Sequence, residues 1–315
     1  MASSSYTIVF ILLLHIFQRK GGVVKGATFT FVNKCSVTIW PAILGSPKLE
    51  TTGFHLSKDT SRAVQAPTGW SGRFWARTGC TFDDSGRGSC STGDCGSGEM
   101  ECNGAGATAA TLAEFTLGSE SGSMDFYDVS LVDGYNLPVL VEAAGGSGQC
   151  ASTGCAEDLN QSCPPELMAE GGGACRSACG AFGTPEYCCK GEYGSPATCR
   201  PSEYSEMFKS ACPKSYSYAY DDVTSTFTCT AADYVITFCP PLPSEKSSKS
   251  DNGMSDGSGS ESGSGSGSVE DAMLADGSWL AELAIGGESA TTHPFGATAQ
   301  ALVALFTVLY ILLQQ

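Results

Sequence analysis

The chain has 315 residues with 33 Asp+Glu against 17 Lys+Arg, a formal charge of −16, and it carries 16 Cys. A surplus of acid disfavours nucleic acid as a partner, because phosphate binding needs a basic footprint. Sixteen cysteines without a C-x₂-C pair, and with His55 the one histidine in the cysteine-bearing part, point to disulfides rather than zinc.

In chain order, the first predicted element is a secretory signal over residues 1–26. Its apolar core, Ile8–Leu14, is too short to span a membrane, and Val24 and Gly26 are small enough to precede a cleavage. Residues 27–243 hold every cysteine and most aromatics. "ATFTFVNKC" opens them with Thr28, Thr30 and Val32 alternating against Phe29 and Phe31, the period of a β-strand. "VTIWPAI", "RFWART", "TLAEFTL", "MDFYDVSLV", "LPVLVEAA", "TFTCT" and "DYVITFC" continue as short strands, with Asp133-Gly134 as a turn signal. Strands of this length and spacing predict a β-sandwich. Between Cys150 and Cys212 the pattern changes to a Gly-, Pro- and Ser-rich stretch, a loop region expected to rely on disulfides rather than on a core of its own. One short helix is predicted at Glu203–Lys209.

Residues 244–268, "SEKSSKSDNGMSDGSGSESGSGSGS", read as a flexible linker reaching roughly 25–30 Å root-mean-square. Residues 269–288 form a short acidic segment with no assigned role. Residues 289–315 combine a small triplet beginning at Ser289, a polar spacer and the terminal apolar run Ala301–Leu313, the layout of a GPI-attachment signal with Ser289 as the candidate attachment residue. A tail-anchor helix is the rival reading. Asn160-Gln161-Ser162 is a sequon, which makes Asn160 a candidate glycosylation site, although Cys163 follows at once.

One acid stands against local propensity: Asp128, in mid-strand within "DFYDVSLVDGYN". Asp125 has no assignable role. Glu114 shares strand parity with Leu112 and Thr116, and its bland reading is a solvated outer-face carboxylate. Asp133 is explained equally by turn chemistry or by a site, and Arg73 by a simple pairing with a nearby carboxylate.

The most specific segment is "GRGSCSTGDCGSGEMEC", Gly86 to Cys102. With "FTFVNKC", "GRFWARTGC", "TLAEFTL", "DFYDVSLVDGYN", "YCC" and "DDVTSTFTC", it resembles the thaumatin-like proteins, plant pathogenesis-related group 5. The resemblance runs from Ala27 to about Pro240. It implies a mainly β fold, a thaumatin-like β-sandwich with a disulfide-rich loop domain and a small third domain. It also implies the pairs Cys35–Cys239, Cys80–Cys90, Cys95–Cys102, Cys150–Cys229, Cys155–Cys212, Cys163–Cys175, Cys179–Cys188 and Cys189–Cys199. It further implies an acidic cleft formed by Arg73, Glu114, Asp128, Asp133 and Asp222, with Asp221 as an alternative to Asp222.

Such a cleft suits two chemistries. Carboxylates accept hydrogen bonds from sugar hydroxyls, with Phe126, Tyr127 or Tyr135 as nearby aromatics; strand parity groups Phe126 with Asp128 and turns Tyr127 away. Alternatively, Glu114 as proton donor and Asp128 or Asp133 as its partner would hydrolyse a β-1,3-glucan. The expectation is a defence-related extracellular protein, monomeric in its head, that binds cell-wall or fungal β-glucan without a cofactor and sits on the outer leaflet of the plasma membrane through a GPI anchor. Weak β-1,3-glucanase activity and a non-enzymatic surface or signalling role are the alternatives. The negative charge lowers the case for antifungal attack on anionic membranes. "GAGATAAT" before Glu114 lacks the paired prolines of many relatives, which predicts a less rigid entry into that strand.

Overall fold

The computed structural model describes residues 26–103, 106 and 109–241. The linker 244–268, the segment 269–288, Ser289 with the tail 289–315, and the signal core within 1–26 lie outside the described residues.

Twelve strands are present: β1 Thr28–Asn33, β2 Trp40–Ser46, β3 Ser61–Gln65, β4 Ser71–Arg77, β5 Thr81–Phe82, β6 Gly88–Ser89, β7 Leu112–Thr116, β8 Met124–Ser130, β9 Val139–Ala144, β10 Thr153–Cys155, β11 Phe227–Thr230 and β12 Asp233–Phe238. Two five-stranded sheets, ordered β10-β9-β12-β1-β3 and β11-β8-β7-β4-β2, pack face to face, and β5-β6 form a small ribbon. All named pairings are antiparallel except β1 with β12.

The alternation of β1 decides which of its faces is buried. Phe29 and Phe31 are fully buried while Thr28, Thr30 and Val32 are half-buried. Phe29 packs against Phe74 and Phe115, with ring centroids 4.7 Å away in each case. Each such aromatic pair contributes about 0.5–1.5 kcal/mol beyond the area it buries. Trp70, Tyr127, Tyr234, Ile236 and Phe238 complete the core between the sheets.

The loop region packs around its half-cystines and has no wholly apolar core of its own, in keeping with its composition. Leu159, Leu167 and Phe208 pack with Cys155, Cys163, Cys175 and Cys212. The missing apolar volume comes from outside, from Leu131 at the end of β8 and Tyr135 in the following turn. The expected helix runs Glu203–Ala211, two residues past Lys209, and starts on a reciprocal Ser202/Ser205 capping box. The structure forms eight disulfides, Cys35–Cys239, Cys80–Cys90, Cys95–Cys102, Cys150–Cys229, Cys155–Cys212, Cys163–Cys175, Cys179–Cys188 and Cys189–Cys199, the set implied by the resemblance.

A third small core, Trp75, Ala42, Leu112, Ala110, Cys95 and Cys102, lies beneath the β5-β6 region. Arg77 is buried there. Its guanidinium donates to the carbonyls of Trp40, Glu99 and Met100 and lies 5.7 Å from the Phe82 ring centroid. Burial lowers its pKa to about 10.

Candidate functional site

The second sheet builds its outer face from residues of one parity. Register places Arg73 of β4 opposite Glu114 of β7, and Glu114 opposite Asp128 of β8. Directly opposed side chains on adjacent strands have Cβ atoms about 5 Å apart. A cation and two carboxyl groups therefore form one line across three strands. Toward one end of the sheet the next residues of this parity are Trp75, Leu112 and Ser130, and toward the other Ser71, Thr116 and Phe126.

All three members of the row are buried: Arg73 is 6% exposed, Glu114 4% and Asp128 1%. The outer-face position expected for Glu114 is correct, but the solvated carboxylate is not, because the rest of the head covers it. Burial and the charge of Asp133 push the Glu114 carboxyl up to about 7, although Arg73 opposes them. Burial, then the charges of Glu114 and Asp222, hold the Asp128 carboxyl well above its usual range. Asp128 Oδ1 has no hydrogen-bond partner among the described residues. Two adjacent buried carboxyls beside one cation retain at least one proton, since like charges in low dielectric do not both ionise.

Asp133 sits both in a turn and beside Arg73. Gly134, at φ 110°, makes the turn, and its amide donates to the Leu131 carbonyl at 2.9 Å. The Asp133 carboxylate meanwhile lies 3.6 Å from Arg73 Nη1. Its side chain is 32% exposed, so it forms a rim to the buried row. Burial raises its pKa and Arg73 opposes the rise.

The choice between Asp221 and Asp222 is resolved by their partners. Asp221 accepts from the amide and the hydroxyl of Ser217, both at 3.0 Å, and is 2.9 Å from Lys209 Nζ. It holds the Asp222–Ser225 turn of helix to the Glu203–Ala211 helix and is engaged structurally. Asp222 is exposed, accepts from the Tyr216 hydroxyl at 2.8 Å, and acts electrostatically on Asp128. Asp222 is the member of the cluster.

Two further residues belong to the site. Buried Tyr216 donates to Asp222, and burial first, then the nearby Asp128 carboxyl, pushes the tyrosine pKa up. Ser130 is the next residue of the same parity on β8, two residues from Asp128 and opposite Leu112. Tyr216 carries no sequence signal, because it is brought beside the row by a β-bridge to Ser130, 86 positions away in the chain. The nearby aromatics divide. Tyr127 is in the sandwich core and donates to the Ala151 carbonyl, and Tyr135 is buried and donates to the Glu157 carbonyl. Neither offers a face to a ligand. Phe126 is half-buried on the side of Asp128.

Asp125, left without a role by sequence, is buried and structural. It accepts from the Gly118 amide and the Tyr234 hydroxyl, each at 2.8 Å, tying the two sheets together. Gly106 lies against the Arg73 guanidinium, where a Cβ would come within 2.4 Å of Nη2. At the sequon, Asn160 Nδ2 donates to the Asn136 carbonyl at 2.8 Å, and Oδ1 is buried.

A β-sandwich joined to a disulfide-stapled loop region, with a buried carboxyl row at their junction, defines the class of molecule. Residues 33–240 match the model of the Thaumatin family. Thaumatin-like protein 1 of Arabidopsis thaliana is 62% identical over 248 residues, spanning 76% of this chain and 95% of its own. Pathogenesis-related thaumatin-like protein 3.5 of Cryptomeria japonica is 55% identical over 247 residues, spanning 76% of this chain and 99% of its own. A Prunus avium protein named glucan endo-1,3-beta-glucosidase is 49% identical over 243 residues, spanning 74% and 99%. This chain belongs to the thaumatin family.

Proposed function

We propose that the chain is a defence-related protein that binds a neutral cell-wall polysaccharide of the β-1,3-glucan type at the rim of the carboxyl row. The observation that carries this reading is the in-register line Arg73–Glu114–Asp128 with Asp133 and Asp222 at its solvent edge. Rim carboxylates accept hydrogen bonds from sugar hydroxyls, and the buried row fixes their charge and position. The pathogenesis-related names of relatives support the defence role.

A weak glucanase is the second reading, favoured by the name of the Prunus avium relative and by the raised Glu114 pKa. Hydrolysis needs one protonated and one ionised carboxyl. Glu114 suits the acid. Asp128 does not suit the partner role, because burial holds its carboxyl well above the usual range and it is 1% exposed. Asp133, restrained by Arg73, is the better base. Binding ranks first because the two deepest carboxyls are shielded from a polymer.

The terminal signals place the protein, in this reading, on the outer face of the plasma membrane through a GPI anchor near Ser289. Eight disulfides suit that oxidising route. The deciding experiment assays purified protein, wild type and Glu114→Gln, for retention on insoluble β-1,3-glucan and for reducing sugar released from laminarin. Retention by both proteins without release supports binding. Release lost in Glu114→Gln supports the glucanase. Neither retention nor release would refute both and leave the surface or signalling alternative. Phospholipase C release of the native protein from membranes tests the anchor.

A further inference from the structure

A separate cavity of about 270 Å³ opens in the loop region, near the lower end of the size expected of small-ligand sites. Tyr187, Tyr193, Tyr204 and Tyr218 line it, with Arg200 and Ser202. Four tyrosines around one hollow supply flat apolar faces edged by hydroxyls, and the exposed Arg200 supplies a fan of donors. The rings are braced. Tyr204 donates to Glu166 Oε1 at 3.1 Å, and Phe182 packs on Tyr187 and Tyr204 with centroids 5.5 Å away in each case. The Tyr187 and Tyr204 rings meet edge to face at 75°.

The cavity adjoins the carboxyl row. Val132, next to Asp133 in the chain, forms part of its wall, as does Ser217, which donates to Asp221. Tyr218, which lines the cavity, follows Ser217 in the chain, and Ser217 donates to Asp221, the neighbour of Asp222. The row itself spans about 10 Å across three strands, so an extended polymer bound there continues past it.

We infer that the tyrosine-lined cavity is an aromatic subsite for a neutral sugar residue, placed to hold the continuation of a polysaccharide chain whose first contacts are Asp133 and Asp222. This rests on the polysaccharide reading above. It adds a prediction that reading does not make, that affinity grows with oligosaccharide length through residues remote from the carboxyls.

The test titrates laminaribiose and laminarihexaose into the full secreted protein, as wild type, Tyr187→Ala and Arg200→Ala. Tyr187→Phe serves as the ring-retaining control, and melting temperatures confirm folding. The expected result is an affinity for the hexaose lowered about tenfold in both variants, restored in Tyr187→Phe, with the biose unchanged. Hexaose affinity equal to wild type in both variants would overturn the subsite, as would an equal loss for both sugars. Wild-type protein that binds neither sugar would instead sink the polysaccharide reading, and the subsite with it. Arg200 is exposed, so its variant keeps the test decisive if Tyr187→Ala fails to fold.

Discussion

Glu114 and Asp128 face each other across neighbouring strands, both buried, with Arg73 beside the first and Tyr216 beside the second. An opposed pair of acids is ordinarily destabilising. Here it is sustained by protons, and that makes the stability of the head depend on pH.

For Glu114 the folded pKa of about 7 lies above the ordinary 4.5. The folded state therefore keeps a proton that the unfolded chain has released, and stability falls as pH rises between those values. The loss is about 3 kcal/mol at 1.36 kcal/mol per unit. Glu114→Gln removes this slope. Urea unfolding across pH 4 to 8 should show the variant gaining on wild type as pH rises, with no relative gain below pH 4.5. Parallel profiles would contradict the assignment.

Arg73→Met removes the cation that, among the described residues, faces Glu114 and Asp133. Losing one partner of a buried ion pair typically costs about 3–5 kcal/mol. The cost should be largest at pH 7 and smaller at pH 4, where both acids take up protons. The comparison is made by denaturant unfolding at the two pH values.

Asp125→Ala leaves the Gly118 amide and Tyr234 hydroxyl without their acceptor. The expected cost is about 2–3 kcal/mol in stability, with β-glucan binding unaltered. Reduced binding at unchanged stability would assign Asp125 to the site instead.

Asn160 should be unmodified in the folded, secreted protein, because its amide faces the Asn136 carbonyl rather than solvent. Mass measurement of the 160–162 peptide, with and without glycosidase, checks this.

The strands and their inward residues were legible because alternation such as Thr-Phe-Thr-Phe in β1 reports which face meets the core. Arg73, Glu114 and Asp128 were reached through family motifs, but their alignment into one row is a matter of register, which no single strand encodes. Burial of the row was not legible either, since the groups beside it, Gly106, Asp133 and Tyr216, lie outside the periodic strands. The Cys150–Cys212 loop region was no more legible, having no periodicity. Its core uses half-cystines together with Leu131 and Tyr135, borrowed from a neighbouring strand end and turn. The Asp221/Asp222 ambiguity was local and identical in composition. Partners far along the chain, Lys209 for one and Tyr216 for the other, separate the two.

Strand order also governs when this molecule can be finished during biosynthesis. The last strand, Asp233–Phe238, sits in the interior of its sheet between β9 and β1. Without it the strand order leaves two separate pairs, β10 with β9 and β1 with β3. Cys35 meanwhile emerges some two hundred residues ahead of Cys239. An early-emerging thiol must therefore be kept from the wrong neighbours throughout translocation.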